Sequence, residues 1–186
     1  MADAVRARRA KRVLSSRHIE DAEIMSLVEA ARLSASCFNN QPWRMVFCRG
    51  GPALDSVKAA LAKGNVWATR ADTIIVVAAR EPDDCQLSDR RNYYCFDCGL
   101  AVGQLLLRAT ELGIIAHPIA GYEPAKVRAA LEIPEEFVVV TLVICGYPGT
   151  DDSLLSEKQK GWEAARPERK PAGENLFLDR WGRPLA

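Results

Sequence analysis

The chain has 186 residues, 48% of them apolar, which suits one domain with a sizeable core. A formal net charge of +1 argues against bulk electrostatic attraction to nucleic acid or to a membrane surface. No run approaches the roughly 20 apolar residues that span a bilayer, and the N-terminus lacks the apolar stretch of a signal peptide. A cytoplasmic protein is therefore expected, with its six cysteines read as thiols and not as a disulfide frame.

Residues 3–12 read as a short basic helix, in which "VRARRAKR" (Val5 to Arg12) carries five cations and no anion. A charge run of this kind is usually a solvated face or an arm. Residues 20–33 form a better helix, with Ile24, Leu27, Val28 and Ala31 at helical spacing and Glu20, Asp21 and Glu23 in the first turn. "SASCFNNQPW" (Ser34 to Trp43) then places three amides between two core elements. Arg44 to Cys48 reads as a strand, and Pro52 to Lys63 as a helix stopped by Gly64. The β-branched run Thr73 to Ala79 predicts a fully buried strand, followed by a surface loop.

Tyr93 to Ile115 is a long helical window with no polar stripe, so it is either a central core helix or a subunit interface. Ala116 to Glu123 reads as a turn, and a short helix between Pro124 and Pro134 follows. Val138 to Gly146 is the third strong strand. The polar segment 150–186 holds Trp162 and Trp181 and reads as an extended C-terminal arm packed on something. The order of elements predicts a mixed α/β or α+β domain with a small sheet.

Hydrolytic chemistry finds little support. There is no G-x-S-x-G elbow, and His18 and His117 are the only histidines. His117 reads as a hydrogen-bonded residue before it reads as a base. No H-E-x-x-H, Walker loop or G-x-G-x-x-G is present. Cys95 and Cys98 make one C-x-x-C, a weak metal or redox signal whose role stays open. The remaining pattern is guanidinium groups at both ends of the chain and amides between. Arg8, Arg9, Arg12, Arg166 and Arg169 can match a phosphate bidentately. Asn39 and Gln41 offer donors and acceptors to the edge of a flat polar ring.

Six segments in order resemble the flavin-dependent nitroreductases. "RRAKRVL" (Arg8 to Leu14) matches that family's R-R-S-x-R-x-F opening, and "ASCFNNQPW" (Ala35 to Trp43) its P-S-x-x-N-x-Q-P-W. "DCGLAVGQLLLRATELG" (Asp97 to Gly113), "PIAG" (Pro118 to Gly121), "ICGYPG" (Ile144 to Gly149) and "RKP" (Arg169 to Pro171) follow. The resemblance implies a single α+β domain over residues 1–186 of nitroreductase-like fold. It implies a small central sheet flanked by helices, a long buried helix at a homodimer interface, and residues 150–186 as an arm on the partner subunit.

It further implies one FMN in each of two interface sites. Arg8, Arg9, Arg12 and Arg169 would hold the phosphate, with Ala10 standing where the family has a serine. Ser36, Cys37, Asn39 and Gln41 would approach the partner's flavin. Pro118, Ile119, Ala120 and Gly121 would lie near flavin N5, with Ala120 where many members carry Glu. Ala35 replaces the usual proline of the second segment. The implied chemistry is ping-pong hydride transfer from NADH or NADPH, through flavin, to a nitroaromatic, quinone or similar small acceptor, with no catalytic side chain, no metal, no nucleic acid and no membrane partner. A dehydrogenase, reductive or flavin-consuming activity within the same family, or a non-enzymatic binding protein, are the alternatives.

Overall fold

The computed structural model describes residues 3–184. Residues 1–2 and 185–186, the extremes of the expected domain and arm, lie outside the described residues. The sheet strands are β1 (Arg44–Arg49), β2 (Thr73–Ala79), β3 (Ile115–Ile119) and β4 (Val138–Gly146). Their spatial order is β1-β2-β4-β3, with every neighbouring pair antiparallel. The helices are α1 (Asp3–Ala7), α2 (Asp21–Arg32), α3 (Gly51–Ala59), α4 (Tyr93–Glu111), α5 (Pro124–Ala130) and α6 (Glu157–Ala164).

The two central strands are apolar on both faces because both faces are covered. Ile74 and Val76 of β2, with Leu142 and Ile144 of β4, join a cluster containing Leu54 and Val57 of α3, Val127 of α5 and Trp67. Ile75 and Val77, with Val143 and Cys145, face Ile24, Leu27 and Ala31 of α2 and Tyr94, Cys98, Val102, Leu105 and Ala109 of α4. The period of two along each strand thus divides one sheet between two cores. The result is the expected α+β architecture with a small helix-flanked sheet.

Several sequence expectations need correction. The basic helix stops at Ala7, so Arg8 to Arg12 run as irregular chain and Arg8 and Arg12 are not neighbours on helix turns. The reason is tertiary: the Gly149 N–H donates to the Val13 carbonyl at 3.0 Å, and Leu14 bridges to Pro148. This contact needs glycine at 149, where a Cβ would come within 2.6 Å of the Leu14 backbone. Helix α3 ends at Ala59, not at Gly64. Beyond it Leu61 pairs with Tyr122, and the Ala62 N–H donates to Gly121 at 3.0 Å. A 3-10 segment, Lys63–Arg70, then inserts Trp67 into the core.

The stretch read as a turn, Ala116 to Glu123, begins inside β3, a strand beyond the three expected. β3 pairs Ile115 through Ile119 with Gly146 through Leu142. It is an edge strand, which tolerates Pro118 because the missing N–H can face away from β4. Helix α4 is not buried on all sides of this chain: Phe96 is 55% and Leu100 37% exposed. The region 150–184 is mostly irregular but contains α6, whose Ser156 and Gln159 form a reciprocal capping box. Finally, the cysteines are not all thiols. Cys37 and Cys85 form a disulfide, because the chain reversal after β2 brings residue 85 beside residue 37, a proximity invisible in sequence.

Candidate functional site

The two ends of the chain meet around one cavity of about 270 Å³, lined by Arg8, Arg9, Ala10, Arg12, Trp162, Arg166, Pro167 and Arg169. The Arg9 guanidinium donates to the carbonyls of Trp162 at 3.1 Å and Glu163 at 3.0 Å. The Arg12 N–H donates to the Glu163 carboxylate at 2.9 Å, and its guanidinium donates to the Ala10 carbonyl at 3.3 Å. Arg166 donates to the carbonyls of Arg6 at 2.5 Å and Arg8 at 2.7 Å. The Arg12 guanidinium lies 5.3 Å from the Trp162 ring centroid and 5.9 Å from that of Trp67.

These contacts commit Arg9 and Arg166 to holding the arm. Among the described residues, the guanidinium groups of Arg8 and Arg169 have no hydrogen-bond partner. The Arg8 group is held below its ordinary pKa by burial, and further by the charges of Arg166 and Arg169. An anion in the cavity would relieve that crowding, so the residues present fit a phosphate.

Strand β3 runs beside this basic segment. His117 Nδ1 lies 2.9 Å from the Lys11 carbonyl, and its ring packs 4.9 Å from Trp67. Burial pushes the His117 pKa down to about 4, so it is a neutral structural residue at pH 7. Ile119 is buried and its carbonyl accepts the Thr141 hydroxyl at 3.0 Å, whereas Ala120 is exposed at the strand's end. The Gly121 carbonyl accepts the Asn65 side-chain amide at 3.0 Å; a Cβ at Gly121 would lie 2.5 Å from that nitrogen.

Ser36, Cys37, Asn39 and Gln41 are brought together with one another but do not line the arginine cavity. Their turn places three non-glycine residues at positive φ: Phe38 at 47°, Asn39 at 59° and Gln41 at 50°. Each costs on the order of 1 kcal/mol, so the surroundings must over-determine them. The Ser36 hydroxyl accepts the Gln41 N–H at 3.0 Å, and the Gln41 amide donates to the Asn39 carbonyl at 3.0 Å. Arg44 donates to the carbonyls of Gln41 at 3.2 Å and Trp43 at 3.1 Å. Trp43 packs on the α2–α4 core and so locks the joint between the turn and β1. Phe38 stands 90% exposed at the tip.

Sequence reasoning missed the support beneath this turn. Asp97 of α4 is 1% exposed and accepts the Cys37 N–H at 2.7 Å. Asp84, also buried, accepts the Asn40 amide at 3.3 Å. Asp97 stands out in sequence as the acid within the apolar first half of α4, a pattern that signals a buried partner. Asp84 carries no such signal. Cys98, the inner residue of the C-x-x-C, has its pKa pushed up to about 12 by burial, so it is an inert core thiol.

Among the described residues, no helix is long and apolar enough to cross a membrane. The sequence profile described as the nitroreductase family matches residues 5–65 and 51–147. A protein of Mycolicibacterium smegmatis with no assigned activity is 34% identical over 144 residues, covering 73% of this chain and 92% of that protein. A protein of Archaeoglobus fulgidus, named provisionally as an NADH dehydrogenase/NAD(P)H nitroreductase, is 33% identical over 76% of this chain and 81% of its own. A solved oxidoreductase containing FMN superposes with a TM-score of 0.85 at 25% identity, over 98% of this chain and 93% of that one. With a basic N-terminal segment, an amide-bearing turn and a glycine-flanked strand end on one antiparallel sheet, the chain belongs to the nitroreductase family.

Proposed function

We propose that this protein is an FMN-dependent NAD(P)H oxidoreductase that works as a homodimer. The observation that carries the reading is the cavity where Arg8, Arg12, Arg166 and Arg169 converge from opposite ends of the sequence. Bound FMN would supply hydride acceptance at N5 and onward transfer to a nitroaromatic, quinone or related acceptor in a ping-pong cycle. Arg8 and Arg169 bind the phosphate, while Arg9 and Arg166 fasten the arm that closes the pocket. Arg12 stays sandwiched near Trp67 and Trp162 and adds positive charge.

The backbone of Pro118 to Gly121 lines the ring-binding side, fixed by β4 behind it and by Asn65 at its end. Ala120 presents no carboxylate there, leaving room for the acceptor. The turn carrying Ser36, Cys37, Asn39 and Gln41 serves the partner's flavin, which accounts for its rigid strained backbone and its separation from the arginine cavity. The amide groups of Asn39 and Gln41 orient the ring edge, and Phe38 shields it from water.

The test is an absorbance spectrum of the purified protein, a fluorescence titration with FMN, and anaerobic reduction by NADH or NADPH. Stoichiometric FMN, bleached by either nucleotide and reoxidised by a nitroaromatic or quinone, is expected. A protein that neither retains nor binds FMN would sink the reading.

A further inference from the structure

The underside of the strained turn holds two buried carboxyl groups beside a disulfide. Cys37 and Cys85 are disulfide-bonded, with Cα atoms 6.3 Å apart, and both are only partly covered. Asp84 and Asp97, 6% and 1% exposed, lie against them. Each uses one carboxylate oxygen, Asp84 for the Asn40 amide and Asp97 for the Cys37 N–H. The other oxygens, Asp84 Oδ2 and Asp97 Oδ1, are buried with no hydrogen-bond partner among the described residues. The two carboxyls lie against each other, and the neutral disulfide offers their unpaired oxygens no donor, which is costly for a buried carboxylate. Ligand atoms from Cys37, Asp84 and Cys85 all lie within 4.8 Å of one another.

We propose that the Cys37–Cys85 pair, once reduced, forms with Asp84 a site for a thiophilic divalent cation of the zinc class, with Asp97 orienting the Cys37 backbone beneath it. Two thiolates and a carboxylate are ligands that Zn²⁺ favours, and a water completes a tetrahedron. Zinc–sulfur bonds of about 2.3 Å set the two sulfurs about 3.8 Å apart in a tetrahedral site, a separation compatible with Cα atoms 6.3 Å apart.

A dithiol reductant gives two electrons and two protons to the Cys37–Cys85 bond and becomes a disulfide itself, leaving two protein thiols. Cation binding then releases the two thiol protons to solvent. Either bond, disulfide or metal bridge, ties the amide-bearing turn to residues 81–85. Metal binding therefore keeps the turn in place under reducing conditions. The site lies within one chain and stands whether or not flavin binds.

The test uses the intact protein, reduced with a phosphine and freed of reductant without air. It is titrated with Zn²⁺ against a chromophoric chelator and with Co²⁺ as a spectroscopic probe. One Zn²⁺ per chain is expected, with a thiolate-to-cobalt charge-transfer band and protection of Cys37 and Cys85 from alkylation mapped by mass spectrometry. Unreduced protein should take up none. Cys85→Ser and Asp84→Asn should each weaken uptake at least tenfold, and Cys95→Ser should leave it unchanged.

The proposal is overturned if reduced wild-type protein shows no stoichiometric uptake, the outcome expected if a proton shared by Asp84 and Asp97 satisfies both orphan oxygens. Equal uptake by oxidised protein, or alkylation protection at Cys95 instead, overturns it too. The comparison of oxidised with reduced wild type needs no substitution, so it separates these outcomes even where a variant fails to fold.

Discussion

Asp97 in the second turn of α4 accepts the backbone N–H of Cys37 at 2.7 Å, so a core helix dictates the shape of an exposed turn 60 residues away in sequence. The carboxyl sits where a helix residue normally packs apolar atoms, and it takes a backbone donor there while lying against the Asp84 carboxyl. Replacing it with alanine leaves that N–H without an acceptor at about 1–3 kcal/mol. Asp97→Ala is therefore expected to lower the urea midpoint and weaken FMN binding together. Asp97→Asn keeps an acceptor oxygen and should recover most of both. If Asp97→Ala binds FMN as tightly as wild type, the turn is not part of the cofactor site.

The pH dependence of stability should carry two opposing signatures. His117 is depressed to about 4 from its ordinary 6.5, chiefly by burial, so the unfolded chain binds more protons between those values. Stability from this group is complete above about pH 6.5 and falls as pH drops toward 4, by up to about 3 kcal/mol. Asp97 shifts the other way: its pKa is raised, mainly by burial. Its contribution is greatest below the unfolded carboxylate range and declines as pH rises through the folded value. Denaturant melts from pH 4 to 7 should show a net rise with pH. His117→Gln should flatten that rise, and Asp97→Asn should steepen it.

The arginines of the cavity should separate into two kinds. Arg8 has a guanidinium free of partners among the described residues, whereas Arg9 is committed to the carbonyls of Trp162 and Glu163. A charge-assisted bond to phosphate contributes about 1.5–3 kcal/mol. Arg8→Ala should raise the Kd for FMN about 10- to 150-fold while leaving the apo-protein melt within about 0.5 kcal/mol of wild type. Arg9→Ala should instead loosen the arm, read as faster proteolysis after residue 150 in the absence of FMN. Riboflavin, lacking the phosphate, should bind wild type and Arg8→Ala alike.

Much of the molecule is legible in sequence where one physical signal dominates. Thr73 to Ala79 can be placed because a β-branched run covered on both faces has no polar alternative. The cations at 8, 9, 12 and 169 can be paired across the chain only through a family resemblance; spacing alone offers no reason for them to meet. What escapes is set by long-range contact. β3 looks like a turn because its Pro and Gly punctuate the local sequence, and only pairing with β4 makes it a strand. The helix at Arg8 to Arg12 loses to bridges with residues 147–149. The Cys37–Cys85 bond depends on how the 81–92 loop folds back, which no local propensity records.

The exposed side of α4 leads to the last prediction. Phe96 and Leu100 stand on one stripe with Gly99 and Gly103, where an added Cβ would meet nothing within 4 Å. Small residues between large apolar ones let a second helix approach closely, and a contiguous apolar stripe exposed on a helix marks an interaction face. The opposite side of the same helix carries Leu105 and Ala109 fully into the core, so the stripe is not needed to fold one chain. Phe96→Glu with Leu100→Glu would bury two carboxylates at a helix pair, raising the dimer dissociation constant at least about 100-fold. Sedimentation velocity should then find a monomer with an unchanged far-ultraviolet spectrum. That monomer should have lost its FMN, because the turn at Ser36 to Gln41 can serve a neighbouring cofactor only when the neighbour is there. A doubly substituted protein that stays dimeric with full flavin content would place the subunit contact elsewhere.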